Sequence, residues 1–119
     1  MGVVYNGKYL EFFEVGRTEL MRALGLPYTE FEKAGYFLPV VETHIHFKGS
    51  SYYDDIINIQ ATLSPEIKAT VKFDYNIFKG NTTIALGFTR HSFLSQKTRT
   101  AVKPPQIYIE LIRRLVHNL

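Results

Sequence analysis

The sequence predicts a single domain of the α+β class, in which an antiparallel sheet lies between two main helices. Three observations support this prediction. Apolar residues recur with a helical period from Tyr9 to Leu24, alternate with polar residues between 41 and 94, and return to a helical period from Tyr108 to Leu115. No linker, repeat or low-complexity segment divides residues 1–119. We therefore expect one hydrophobic core, which a chain of this length is large enough to form.

The first helix is predicted to begin after Asn6 and to end at Leu24. Asn6 is a suitable N-cap residue, and Gly25 followed by Pro27 is typical of a helix end. The apolar stripe of this helix comprises Tyr9, Phe12, Phe13, Gly16, Leu20, Ala23 and Leu24.

The middle of the chain predicts a meander of antiparallel strands. Period-two alternation places strands at 41–47, 56–63, 71–77, 82–94 and, more briefly, 98–102. Lys79-Gly80-Asn81 is a tight hairpin signal. Thr29-Glu30-Phe31-Glu32 has capping-box spacing and predicts a short second helix over 30–34. An amphipathic helix over 108–115 follows Pro104-Pro105.

One mostly apolar helix and one sheet suggest how the elements pack. The first helix has more apolar surface than one flat sheet face can cover, so we expect the sheet to curl around it. A strand edge or a second apolar strand face then remains available for a partner subunit.

Composition excludes several classes of protein. The chain has 119 residues, a formal charge of +3 and no cysteine, so disulfides, thiolate metal sites and a cysteine nucleophile are excluded. Basic residues are scattered apart from a cluster over 97–103, which does not favour nucleic-acid binding. No apolar run approaches the roughly 20 residues that span a membrane. With no basic-then-apolar segment at the N-terminus, a cytoplasmic protein is expected.

Several short motifs together resemble one known family. In chain order they are Gly2-Val3-Val4-Tyr5, Tyr9, Phe13-Glu14, Arg17-Thr18-Glu19, Leu24-Gly25, Tyr28, Phe37 to Glu42, Tyr53-Asp54-Asp55 and Thr89-Arg90-His91. This succession, which covers nearly the whole chain, resembles the hotdog-fold acyl-CoA thioesterases of the YbgC / 4-hydroxybenzoyl-CoA thioesterase group.

The resemblance implies a hotdog fold, with a curved antiparallel sheet wrapped around a long central helix. It also implies homodimers or homotetramers with active sites at subunit interfaces. The implied reaction is hydrolysis of an acyl-CoA or acyl carrier protein thioester, without a metal or other cofactor. The family's carboxylate lies in an Asp-x-x-Gly-Val-Val/Ile-Tyr/Phe run. Met1 occupies the position just before the glycine of this run, so the expected Asp would lie two residues before Met1. The catalytic Asp segment and the first strand are therefore expected to be missing from residues 1–119.

Candidate catalytic residues follow from the same resemblance. It places Tyr5 and Asn6 at the oxyanion hole, where a backbone N–H binds the thioester oxygen. Independently, unpaired N–H groups and the dipole at a helix N-terminus stabilise developing negative charge. N-cap preference alone favours a simple helix cap at Asn6, the resemblance favours the oxyanion hole, and the two interpretations are compatible. Glu14 is the best replacement acid within the chain, although a structural ion pair with Arg17 is the other interpretation.

Substrate-binding candidates lie on the first helix and beside the long strand. Tyr9 and Phe13 are core residues by default, and the resemblance implies that they also line the acyl tunnel. Four basic residues are either solvated surface charge or ligands for the phosphates of CoA; they are Arg90, His91, Lys97 and Arg99.

Two histidines on one strand pose a further alternative. His44 and His46 share a strand face with the spacing that zinc sites use, but zinc needs three or four convergent ligands. A solvent-facing pair is the better interpretation, so we expect no metal.

Two functional hypotheses follow. The first is an acyl-CoA thioesterase in which a carboxylate activates water against a thioester held at the Asn6 amide. The second is a catalytically impaired hotdog protein that binds acyl-CoA or acts as an oligomeric interaction module. A hotdog dehydratase is a weaker third hypothesis, because no histidine is paired with an acidic residue in a hydratase-like motif.

Overall fold

The computed structural model of the protein describes Val4 and residues 6–117. In chain order its elements are α1 (Lys8–Ala23), α2 (Tyr28–Lys33), β1 (Tyr36–Phe37), β2 (Val40–Phe47), β3 (Asn58–Leu63), β4 (Thr70–Lys79), β5 (Thr82–Ser92), β6 (Leu94–Ser95) and α3 (Gln106–His117). All strand pairs are antiparallel, and the main sheet has the order β2-β5-β4-β3. The α+β prediction is confirmed.

Helix α1 lies across the sheet and contacts all four of its strands. Tyr9 meets Phe47 of β2 edge-to-face, and Phe13 stacks on Tyr75 of β4 with ring centroids 4.2 Å apart. Two glycines allow the helix to lie close to the sheet. A Cβ added at Gly16 would lie 2.8 Å from Ile59 Cγ2 of β3, and a Cβ added at Gly87 of β5 would lie 2.7 Å from the Phe13 ring. The helix therefore packs across the whole width of the sheet, as expected for the central helix of the predicted fold.

The ends of α1 were predicted in part. Leu24 is the C-cap and Gly25 has φ +85°, so the predicted helix end is confirmed. At the other end, the Asn6 side chain does not cap the helix. Gly7 occupies the cap position without a side-chain hydrogen bond, and Asn6 instead accepts the Tyr9 N–H through its backbone carbonyl at 3.1 Å. Most of the predicted stripe is buried or half-buried, but Ala23 is exposed while Met21 is buried.

Three further predictions need correction. Helix α2 begins directly after Pro27, so Thr29 lies inside it and makes no capping bond. The segment 98–102 forms no strand; it is a turn followed by a single bridge between Leu94 and Ala101. The predicted strand 82–94 is two strands, and the short β6 pairs with β1, which the sequence pattern did not predict.

Strand β2 is an edge strand and is more exposed than its alternation predicted. A bulge between Val40 and Glu42 interrupts its pairing with β5, and Val41 is 57% exposed. Of its eight residues only Ile45 is half-buried. By contrast β3 shows the expected alternation, and α3 buries Tyr108, Leu111 and Ile112 as predicted.

Candidate functional site

The N-terminus of α1 presents backbone amides that find no acceptor in the described part of the chain. The first intrahelical bonds run from the Tyr9 N–H to the Asn6 carbonyl at 3.1 Å and from the Leu10 N–H to the Gly7 carbonyl at 3.3 Å. No described residue accepts a hydrogen bond from the N–H of Asn6 or Gly7, and both residues are exposed. The helix dipole adds partial positive charge at this end. This turn can therefore bind an anion or a developing oxyanion; Tyr5 lies outside the described residues.

The loop after β2 holds this turn in place. The Ser51 carbonyl accepts the Val4 N–H at 2.8 Å, and the Ser51 hydroxyl is hydrogen-bonded to the Tyr9 hydroxyl at 2.8 Å. Ser51 is completely buried. In the sequence Ser51 was only part of a strand-breaking Gly-Ser-Ser run, and no local signal indicated its contact with a residue 42 positions away.

A cavity of about 450 Å³ opens further along α1. It lies between α1, α2 and the start of β2, and its lining residues are Glu14, Arg17, Thr18, Met21, Tyr28, Phe31, Leu38, Pro39, Val40, Phe73 and His91. This volume is within the range of small-molecule sites, and the wall is mostly apolar. No ion pair joins Glu14 to Arg17 among the described residues, so the structural ion pair is not formed. The cavity is therefore large enough for a small, mostly apolar ligand.

A chain of buried hydrogen bonds begins at His91, which lines this cavity, and continues to Thr89 and Tyr75 behind it. His91 Nδ1 lies 3.0 Å from the Leu38 carbonyl, which can only accept, so Nδ1 carries a proton. Burial lowers the pKa of His91, which favours the neutral ring, and Nε2 then accepts from the Thr89 hydroxyl at 2.9 Å. Thr89 in turn accepts from the Tyr75 hydroxyl at 2.7 Å. Arg17 lies beside Tyr75; burial raises the pKa of the Tyr75 phenol, and Thr89 and Arg17 oppose that rise.

Tyr9 and Phe13 lie in the hydrophobic core. Their exposed fractions are 1% and 0%, and neither is among the residues that line the cavity. In the described single chain they position α1 against the sheet.

The four basic candidates are not brought together. Arg90 lies on the outer face of the sheet, where Nε contacts Glu42 Oε1 at 2.8 Å. His91 points to the opposite, buried face. Lys97 and Arg99 are exposed on the turn after β6.

Arg90 instead shares a polar groove of about 230 Å³ with residues that the sequence did not single out. These are Ser64, Glu66, Lys68, Thr70 and Lys72. The Glu66 pKa is lowered first by its hydrogen bond to Lys68 at 2.8 Å, and more weakly by the charges of Lys72 and Arg90. Lys72 lies 3.5 Å from Asp74 and Arg90 pairs with Glu42, so each cation of this groove already has a carboxylate partner.

His44 and His46 are exposed on β2, and His44 stacks on Phe88 with ring centroids 5.6 Å apart. Within residues 4 and 6–117, no three histidine, cysteine or acidic side chains cluster in a way that could hold a metal ion.

A curved antiparallel sheet around one long helix defines the hotdog class of fold, and the N-terminus of that helix presents amides that no described residue pairs. The model of the thioesterase-like superfamily matches residues 1–112. The chain belongs to this superfamily.

Individual relatives agree with the assignment. A protein of Aquifex aeolicus named "Putative esterase" is 26% identical over 112 residues, which cover 94% of this chain and 86% of that protein. "Putative acyl-CoA thioesterase YneP" of Bacillus subtilis is 37% identical over 79 residues, 66% of this chain and 51% of that protein. The chain therefore matches about half the length of this second relative. The crystal structure of TT1821 from Thermus thermophilus superposes with a TM-score of 0.87 at 28% identity, covering 97% of this chain and 88% of that one.

No helix in the described part of the chain is long and apolar enough to cross a membrane.

Proposed function

We propose that the protein hydrolyses the thioester of an acyl-CoA or of an acyl carrier protein. The observation that carries the proposal is the pair of amides of Asn6 and Gly7, exposed and without an acceptor among the described residues, at the start of the central helix in a member of the thioesterase-like superfamily. Water attacks the thioester carbonyl, and the carbonyl oxygen takes on negative charge next to these amides. The carbon–sulfur bond then breaks, releasing the carboxylic acid and the thiol. One oxyanion donor contributes about 3 kcal/mol to such a transition state.

The carboxylate that activates water is the second part of the proposed mechanism. Glu14 lies seven residues after Gly7, about 10 Å along the helix axis, whereas a general base must lie within hydrogen-bond reach of the water that attacks the thioester carbonyl. Glu11 is nearer but pairs with Lys8, with Nζ and Oε2 2.6 Å apart. Glu14 is therefore poorly placed to activate that water within its own protomer. The resemblance instead implies an aspartate two residues before Met1.

The same distances favour one alternative, in which the chain binds acyl-CoA without hydrolysing it. A panel of acyl-CoAs tested with the 1–119 chain, with a chain extended by the upstream residues and with the Glu14→Gln variant separates the possibilities. Turnover by the extended chain alone supports the upstream aspartate, and turnover by 1–119 that Glu14→Gln abolishes supports Glu14. Saturable acyl-CoA binding without turnover in either chain supports the alternative and contradicts the thioesterase proposal.

For the substrate, we propose that the acyl group enters the cavity beside Glu14 and Arg17. Tyr9 and Phe13 pack α1, which forms one wall of this cavity, against the sheet. Arg90, Lys97 and Arg99 remain proposed ligands for the CoA phosphates, while His91 contributes to the cavity wall. A charge reversal such as Arg90→Glu tests one of these surfaces. It is expected to raise KM for the CoA thioester and leave kcat unchanged.

For the assembly, we propose a homodimer formed through the edge of β2, with tetramers as a further possible assembly. The edge has eight residues and includes two exposed valines, Val40 and Val41. The radius of gyration, 15.6 Å, exceeds the roughly 13.5 Å typical of a compact domain of this length, so the single chain is extended. The proposed reaction uses water, amides and a carboxylate, and it needs no metal. A cytoplasmic location stays a prediction that cell fractionation tests.

A further inference from the structure

Ser51 joins the loop after β2 to both sides of the turn that carries the Asn6 and Gly7 amides. Before the turn, its carbonyl accepts the Val4 N–H at 2.8 Å. After the turn, its hydroxyl bonds the Tyr9 hydroxyl, also at 2.8 Å. Asn6 and Gly7 lie between these two attachment points. One completely buried residue therefore holds both ends of the turn that carries the Asn6 and Gly7 amides.

The packing around Tyr9 makes this attachment rigid. The Tyr9 ring meets Phe12 and Phe47 edge-to-face, with centroids 5.3 and 5.2 Å away. Between these two rings the phenol cannot swing to another partner. If the Ser51 hydroxyl is removed, the Tyr9 hydroxyl is buried without a partner, which is costly, and the first turn of α1 has to shift to relieve it.

We propose that Ser51 is a positioning residue, which fixes the direction of the Asn6 and Gly7 amides through Val4 and Tyr9. It touches neither water nor thioester in the proposed reaction. Its catalytic effect rests on the proposed function, because orienting two donors matters only if an oxyanion forms beside them. Small errors in donor placement are expensive in such sites.

The test compares Ser51→Ala with Tyr9→Phe, since each removes the same hydrogen bond from one side. Residue-resolved hydrogen exchange follows the amides of Val4, Tyr9 and Leu10, and steady-state kinetics follow a CoA thioester that the active chain hydrolyses. In both variants we expect about tenfold faster exchange at these amides, about the effect of one lost hydrogen bond. We also expect kcat about tenfold lower, with KM changed less than about twofold.

The double variant Tyr9→Phe/Ser51→Ala is expected to lose little beyond either single variant, because the buried hydroxyl no longer lacks a partner. Thr83→Ala is the matched control. It removes a half-buried hydrogen bond from Thr83 to Asn76 (3.2 Å) in the β4–β5 hairpin, and it should leave exchange before α1 and kcat unchanged.

Unchanged exchange in Ser51→Ala, or faster exchange with unchanged kcat, overturns the proposal. Absence of turnover in the unsubstituted extended chain contradicts the proposed function instead, and exchange at Val4 and Tyr9 still decides whether Ser51 holds the turn.

Discussion

At the scale of single residues, two buried tyrosines differ in what their hydroxyls contact. Tyr108 is fully buried in α3, burial raises its pKa to about 12, and no described residue hydrogen-bonds its hydroxyl. The Tyr75 hydroxyl bonds Thr89 at 2.7 Å. Tyr108→Phe is therefore expected to raise the free energy of unfolding by about 1 kcal/mol and Tyr75→Phe to lower it by about 1 kcal/mol. Urea denaturation measures both, and equal effects of the two substitutions would contradict the contacts.

His91 makes stability depend on pH. Burial holds its pKa in the folded protein below the ordinary value of 6.5, so the folded state binds fewer protons than the unfolded state. The stabilisation is complete above about pH 6.5 and is lost as the pH falls through the lower folded pKa. When the pH is lowered from 7.5 to 5.5, the melting temperature should therefore fall less in His91→Gln than in the unsubstituted protein. The glutamine amide can keep both hydrogen bonds of the histidine ring. Exposed His44→Gln is the control and should behave like the unsubstituted protein.

At the scale of elements, local signals were sufficient where an element depends on its own residues. Helix α1 ends at Gly25 because φ +85° suits glycine, and the β4–β5 hairpin turns at Gly80 with φ +58°. The pairing of β1 with β6 joins two-residue strands far apart in sequence, so no periodicity could reveal it. Asn6 has the residue type of a cap, but Gly7 occupies the cap position. Ser51, far away in the sequence, contacts Val4 and Tyr9 on either side of this turn, and no local signal could show those contacts.

The packing of α1 onto β5 depends on Gly87. A Cβ there would clash with the His44 carbonyl of the neighbouring strand and lie 2.7 Å from the Phe13 ring. Gly87→Ala must therefore separate β2 from β5 or lift the helix, and we expect a loss of about 3 kcal/mol in unfolding free energy. Gly49→Ala is the control, since its Cβ would make an ordinary 3.4 Å contact with Ile84. Thermal unfolding of both variants measures the difference, and similar melting temperatures would contradict the close approach.

At the scale of the whole molecule, the sequence predicted the class of fold better than the arrangement of its surface. The motifs around Glu14 and Arg17 indicated the family, and the structure places both residues on one cavity. The four basic residues near β5 were grouped by sequence distance. Alternation along the strand sends Arg90 and His91 to opposite faces, and the turn after β6 carries Lys97 and Arg99 elsewhere.

The exposed edge of β2 gives the prediction that tests the assembly. Edge lysines discourage strand pairing, so Val41→Lys is expected to convert the proposed dimer to a monomer. Light scattering should then report the mass of one chain, and thioesterase activity should fall with the dimer if the site lies at the interface. Ile67→Lys is the matched control, because Ile67 is also exposed (46%) but lies in the loop between β3 and β4. A monomeric unsubstituted protein would contradict the proposed dimer. A Val41→Lys variant that stays dimeric would show that the interface does not lie at the β2 edge.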